Sequence, residues 1–166
     1  MMRRFALALC LVALSGCGLR PVYGGGGSGA VAATLGSVTV GPIAGQSGWL
    51  MRNKLVDRLG EAGSGSAAYR LNVTLDDNIT AFGLRSDRAA TQERRTLRAR
   101  YQLVDLSNGA VVLDATAGSD AGIDIVSSEY ATVAAEQTAL EQLSDTVADQ
   151  IVARLALYAK RAAPAK

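Results

Sequence analysis

Alternation of apolar and polar positions is clearest at two places. Tyr69, Leu71, Val73 and Leu75 alternate with Arg70, Asn72, Thr74 and Asp76, and Leu97, Ala99, Tyr101 and Leu103 alternate with Arg98, Arg100 and Gln102. Period two predicts a strand with one buried and one wet face at each. The first extends past Asp77-Asn78 through Ile79, Ala81 and Phe82, and the polar stretch Gly83 to Gln92 is the loop or flared tip after it. Asn108-Gly109 sits between the second strand and the run Val111-Val112-Leu113. That dipeptide predicts an antiparallel hairpin through a type I′ turn. The strand after it runs to about Ala117, with an irregular continuation at Ile123 to Val126. Upstream, Val38, Val40 and Ile43 mark a short strand ended by Gly41-Pro42.

Two stretches have helical spacing. Met51, Leu55 and Leu59 recur every four residues, with Val56 widening the stripe, Ser47 as the expected cap and Gly60 and Gly63 as the stop. The longer one carries Val133, Leu140, Leu143, Val147, Ile151, Leu155 and Tyr158, capped by Ser127 or Ser128. Glu129 at its start and Lys160 and Arg161 at its end suit the helix dipole. The order is β-α-β-β-β-α. A right-handed crossover makes the first two strands parallel, and the rest pair antiparallel. The expected fold is α+β: a two-layer sandwich, two helices packed on one face of a four-stranded mixed sheet.

The N-terminus reads differently. Arg3 and Arg4 precede a ten-residue apolar run, Phe5 to Leu14, and then Ser15-Gly16-Cys17. This run is too short to span a membrane as a helix, which takes about 20 apolar residues. It has the form of a secretory signal peptide. Leu14-Ser15-Gly16-Cys17 resembles the bacterial lipobox, which implies cleavage before Cys17 and acylation of its thiol and amine. One acyl chain binds a membrane only marginally, at about 0.8 kcal/mol per buried CH₂, whereas two or more anchor stably. Gly18, rather than Asp, implies sorting to the outer membrane of a Gram-negative cell.

The expected organisation is a signal peptide over 1–16, a lipidated N-terminus and glycine-rich tether over 17–34, a single α/β domain over 35–161, and a disordered tail over 162–166. Gly24 to Gly27, Ser28 and Gly29 offer almost nothing to pack. About 150 processed residues suffice for one domain.

Composition narrows the function. The chain has 166 residues and no His, which removes imidazole bases, Ser-His-Asp triads and His-ligated metals. Its two Cys are Cys10, in the signal peptide, and Cys17. No thiol remains for catalysis, zinc or a disulfide. Without Arg3 and Arg4 the 17 basic residues fall to 15, equal to the 15 acidic ones. The precursor's positive charge therefore gives no reason to expect a nucleic-acid partner.

Candidate chemistry is sparse. Asp76 and Asp77 are adjacent on a strand, so they point to opposite faces and cannot share a proton. Asp114, Asp120 and Asp124 lack the spacing of an EF-hand loop. Gly24 to Gly27 has no strand before it and no Lys-Ser/Thr after it, so it is not a phosphate loop. No catalytic residue, metal site or cofactor is expected. Trp49, at a helix start, either caps the core or anchors an interface.

The cluster Arg85, Arg88, Arg94, Arg95, Arg98 and Arg100 is denser than its acidic neighbours Asp87 and Glu93. Guanidinium forks suit phosphate and carboxylate. Such a cluster fits an anionic headgroup, an acidic partner wall, or a solvated face with mixed ion pairs. Aromatics are not interleaved with it, which argues against single-stranded nucleic acid.

Two segments resemble a known family. Cys17-Gly18-Leu19-Arg20-Pro21-Val22-Tyr23-Gly24 is similar to the Cys-Gly-Phe-x-Pro-Leu-Tyr-Gly opening of the LptE family of LPS-assembly lipoproteins, especially its alphaproteobacterial members. Ser128-Glu129-Tyr130-Ala131, followed by Ala135 and Gln137, resembles the Ser-x-Tyr-Ala-x-x-x-Ala start of that family's last helix. The element order is similar too. Leu19 stands where Phe is usual, and the glycine run is long. The resemblance implies a non-enzymatic, outer-membrane lipoprotein that sits in the lumen of the β-barrel LptD, helps it fold, and helps lipopolysaccharide reach the outer leaflet. Arg94, Arg95, Arg98 and Arg100 would then face lipid A phosphates or the barrel wall. Two other classes combine a lipobox with a small α/β domain: an auxiliary lipoprotein of an ABC-type lipid-transport system, and an activator of a cell-wall synthase.

Overall fold

A computed structural model describes residues 30–60, 67–84 and 90–162. Residues 1–29, with the expected signal peptide, Cys17 and the glycine run, residues 61–66, residues 85–89, with Arg85 and Arg88, and residues 163–166 lie outside the described residues. The elements are α1 (Ala30–Leu35), β1 (Val38–Val40), α2 (Gly45–Leu59), β2 (Tyr69–Leu84), β3 (Ala90–Asp105), β4 (Val111–Asp124) and α3 (Glu129–Ala162). The strands form one sheet in the order β1-β2-β3-β4. β1 pairs parallel with β2, and β2-β3 and β3-β4 pair antiparallel. The helices cover one side, so the expected α+β sandwich and element order are what the chain adopts.

Alternation sets the sheet's two faces. Leu71, Val73, Leu97, Ala99, Tyr101 and Leu103 are buried toward the helices, while Asn72, Thr74, Arg98 and Arg100 are exposed. The register Leu71↔Leu103 and Val73↔Tyr101 puts the apolar positions side by side. A slip of one residue would turn them all to water, so burial locks the register. From the other layer, Met51 and Leu55 of α2 and Leu140, Leu143, Val147, Ile151 and Leu155 of α3 close the core. Each such aliphatic side chain contributes about 1.5–3 kcal/mol on burial. The helices are also tied to each other: Lys54 and Arg58 of α2 pair with Asp145 at 2.9 Å each, and Arg58 pairs with Asp149 at 2.6 Å.

Length matters for the open face. β2 and β3 have 16 residues each and α3 has 34. At the usual rises these are all about 50 Å long. α3 packs along β4 and β3, and α2 closes the layer toward β1 and β2.

Local structure departs from the sequence expectations in five places, the simplest being that β2 runs on to Leu84 and β3 begins at Ala90, so both ends of the expected loop Gly83 to Gln92 are strand. α2 starts at Gly45 rather than after Ser47; its N-cap is Ala44, which makes no side-chain cap bond, and Gly45 takes a φ of 83°. A further helix, α1, occupies the end of the segment expected to be tether. Its Leu35 is buried and its Val31 packs on the core, so those two apolar residues gain more from docking than from solvation. The Asn108-Gly109 hairpin is wider than a two-residue turn. Asp105 N–H donates to the Ala110 carbonyl, Gly109 N–H donates to the Asp105 carbonyl, and Gly109 has a φ of 73°. The Asp105 carboxylate accepts from Ser107 and the Asn108 side-chain Oδ1 accepts from Ala110 N–H, bonds that brace the longer loop. Finally, β4 runs unbroken to Asp124 because Gly118 and Gly122 stay in the ladder.

Candidate functional site

The face of the sheet away from the helices is the candidate site. β2 contributes Arg70, Asn72, Thr74 and Asp76; β3 contributes Arg94, Thr96, Arg98, Arg100 and Gln102; β4 contributes Asp114, Thr116, Asp120 and Asp124. All sit at alternate positions, so period two alone puts them on one side. Shallow depressions on this face are lined by Thr74, Asp76, Arg98, Arg100 and Thr116, and by Asn72 and Gln102 beside them.

The arginines here are not bare. Arg100 pairs with Asp114 at 2.9 Å and Arg98 with Asp120 at 3.1 Å. Gln102 adds a bond to Asp114, Thr96 one to Asp120, and Gln92 one to Asp124. Register explains the pairs. Arg98 lies opposite Gly118 and Arg100 opposite Thr116, so each guanidinium reaches a diagonal carboxylate on β4. Gly118 has no side chain to obstruct Arg98, whose Cδ fills the space a Cβ would take. Arg100 and then Gln102 hold the Asp114 carboxyl below the usual range; Thr96 and then Arg98 do the same for Asp120. Arg94 instead stacks over Phe82, 5.3 Å from the ring centroid. The face thus carries Arg70, Arg94, Arg98 and Arg100 against Asp76, Asp114, Asp120 and Asp124. It is a polar ladder with balanced charge.

Arg95 does not join that face. It points to the helix layer, where its Nε and Nη2 donate to Asp77 at 2.8 and 2.7 Å and its Nη1 donates to the Glu136 carbonyl at 2.9 Å. Asp77 is on the same side and Asp76 on the other. Next to this pair, Glu93 has one carboxylate oxygen buried with no hydrogen-bond partner among the described residues. Burial first, and then the neighbouring Glu136, push the Glu93 carboxyl up. Arg95 therefore fastens α3 to the sheet, while Arg94, Arg98 and Arg100 face outward.

Asp114, Asp120 and Asp124 are engaged by Arg100, Arg98 and Gln92 respectively. Among the described residues no group of three His, Cys, Asp or Glu side chains converges to hold a metal ion. Trp49 is 66% exposed at the start of α2. Val133, counted with the apolar stripe of α3, is 55% exposed, and Tyr130 one turn earlier is 85% exposed. The first turns of α3 thus overhang the core. Sequence periodicity could not show this, because the stripe continues past the point where the sheet ends its cover. It also missed Gln150 and Arg154, which border β4 from α3; on the helix they read as ordinary solvent positions.

A family model, LptE, described as lipopolysaccharide-assembly, matches residues 35–155. No curated protein matches the chain. Among solved structures, a protein of Caulobacter crescentus CB15 assigned as a lipoprotein is 28% identical, with a TM-score of 0.69, covering 82% of this chain and 100% of its own. Rare lipoprotein B from Shewanella oneidensis is 11% identical, with a TM-score of 0.58, covering 75% of this chain and 96% of its own. A minor lipoprotein from Acinetobacter baumannii is 15% identical, with a TM-score of 0.57, covering 73% and 92%. At their identities the last two speak to fold alone.

Proposed function

The chain belongs to the LptE lipopolysaccharide-assembly family, and on that premise we propose that it is a lipid-anchored outer-membrane protein that assists folding of the LptD β-barrel and plugs its lumen. The observation that carries this is the extent of the match. Residues 35–155 take in the whole sheet, α2 and most of α3, so the shared unit is the complete two-layer domain.

Physical features support the role. A large barrel leaves an aqueous lumen. A two-layer domain whose longest strands and helix each reach about 50 Å, with the helix packed on the sheet, is a suitable filling. The polar ladder of the open face offers hydrogen bonds to a polar lumen wall. The Cys17 acyl chains would hold the domain at the membrane, and Gly18 after the lipidated residue favours the outer one. The family is one of non-enzymatic transport proteins, and the activity proposed here needs no bond making or breaking.

Arg94, Arg98 and Arg100 take the contact role on this reading, toward the barrel wall or lipid A phosphates. Arg98 and Arg100 would exchange Asp120 and Asp114 for the incoming anion, a swap of one charge-assisted bond for another. Conditional depletion of the protein tests the function. Folded barrel in the outer membrane and lipopolysaccharide on the cell surface are both expected to fall, and the wild-type chain to restore them. Undiminished folded barrel after depletion would overturn the proposal.

A further inference from the structure

β4 ends the sheet, and among the described residues its outer backbone meets no strand. It is 14 residues long and contains no Lys, Arg or Pro. Edges are commonly blunted by Lys or Pro, by a bulge, or by a cover. Among the described residues the hydrogen-bonding cover is a single side chain. Gln150 of α3 reaches around the edge and meets both backbone groups of Gly118. Gly118 N–H donates to Gln150 Oε1 at 3.2 Å, and Gln150 Nε2 donates to the Gly118 carbonyl at 3.4 Å. A carboxamide presents a donor beside an acceptor, as a peptide group does. Gln150 thus stands where the peptide of a next strand would be.

Alternation extends the argument. Gly118 turns its backbone groups outward, so Thr116 and Asp120, two residues either way, do the same. A groove opens beside them between β4 and α3, lined by Tyr101, Ala115, Thr116, Ala117, Gln150 and Arg154. Arg154 is exposed and makes no ion pair among the described residues.

We propose that this groove receives an extended segment of another polypeptide, which adds to β4 as a fifth strand, displaces the Gln150 amide and sets a carboxylate against Arg154. Main-chain bonds would supply the affinity and the Arg154 contact the selectivity. A second copy of this chain is the poorer occupant. The charged side chains of β4 are Asp114, Asp120 and Asp124, all on the open face, so pairing β4 with itself would bring no carboxylate to Arg154 on the helix side.

The test uses the full chain, isotope-labelled and held in detergent micelles. The probe is a short capped peptide alternating Thr and Val around a central Glu. Controls are the same peptide with Lys for Glu, and the Glu peptide methylated at alternate backbone nitrogens. The Glu peptide is expected to slow amide exchange at Thr116 and Asp120 by about tenfold. The methylated peptide should do nothing. Gln150→Ala frees the edge and should tighten binding by about threefold. Arg154→Glu should reverse the preference between the Glu and Lys peptides. Thr116→Pro keeps the ladder to β3, because its lost N–H faces outward, and should abolish protection. Unchanged exchange along β4 at saturating peptide would overturn the proposal. So would equal protection by the methylated peptide, or protection that rises with protein concentration alone, which would make the occupant a second copy.

Discussion

Arg95 holds Asp77 in a two-bond fork on the helix-facing side of the sheet, Nε to Oδ1 at 2.8 Å and Nη2 to Oδ2 at 2.7 Å. The two side chains are only 12% and 17% exposed. Removing one partner would strand a charge in a largely dry place, while removing both would not. Asp77→Ala is expected to cost about 3 kcal/mol in urea unfolding. The double variant Asp77→Ala with Arg95→Leu should recover much of that loss. Equal losses in the single and double variants would mean that the fork has no special weight.

Two carboxyls give opposite pH trends. Lys54 and then Arg58 hold Asp145 below the usual range. Its folded value lies below its unfolded one, so its stabilisation is complete above the unfolded value and is lost as pH falls through the folded one. Glu93 is held above the usual range by burial and by Glu136. Its contribution is complete below the unfolded value and is lost as pH rises through the folded one. Melting curves between about pH 3 and pH 7 separate them. Relative to wild type, Asp145→Asn should become less stable as pH rises, and Glu93→Gln more stable.

Gly48 is required by close approach. A Cβ there would lie 2.7 Å from the Ile43 carbonyl oxygen and 2.9 Å from Ile43 Cγ2. Backbone cannot swing aside as a side-chain tip can. Alanine normally gains about 1 kcal/mol over glycine inside a helix. Gly48→Ala is nevertheless expected to lose about 2 kcal/mol, since overpacking outweighs propensity. Denaturant titration of the variant reads the sign directly.

Arg98 and Arg100 carry the contact role in the proposed function. Their pairs with Asp120 and Asp114 are exposed and add little to stability, so reversing both arginines to Glu should lower the melting temperature by only a few degrees, through repulsion from those two carboxylates. Folded barrel and surface lipopolysaccharide should fall in the same cells. Asp114→Asn with Asp120→Asn, which unmasks both guanidiniums, should increase binding to lipopolysaccharide in sedimentation. Normal barrel assembly by the charge-reversed chain would remove these two residues from the site.

The architecture was legible because its strongest patterns coincide with burial. Leu71 and Val73 face Leu103 and Tyr101, and each alternation was plain in the sequence. Glu129 opens α3 after Ser128, whose Oγ accepts from Ala131 N–H, as the capping pattern indicated. The site was legible only in part. Period two put Arg98 and Arg100 on one face, and the same rule puts Arg95 on the other. The density of the run drew Arg95 into the cluster, and its neighbour at Asp77 appears only once β2 and β3 are in register. The pairing of Arg98 with Asp120 likewise depends on the β3-β4 register, which the hairpin sequence leaves open by a residue or two. Gln150 lies 32 positions from Gly118, and no local pattern links them. α1 was hidden because its Ala-rich turn follows directly on a glycine run.

The central claim is that this lipoprotein works inside an outer-membrane barrel. Tagging the C-terminus after Lys166, solubilising membranes in mild detergent and identifying what co-purifies at equal stoichiometry tests it most directly. The account predicts a single large outer-membrane β-barrel. An inner-membrane ABC transport complex or a cell-wall synthase in that place would contradict it, and would make the open sheet face a docking surface for that partner instead.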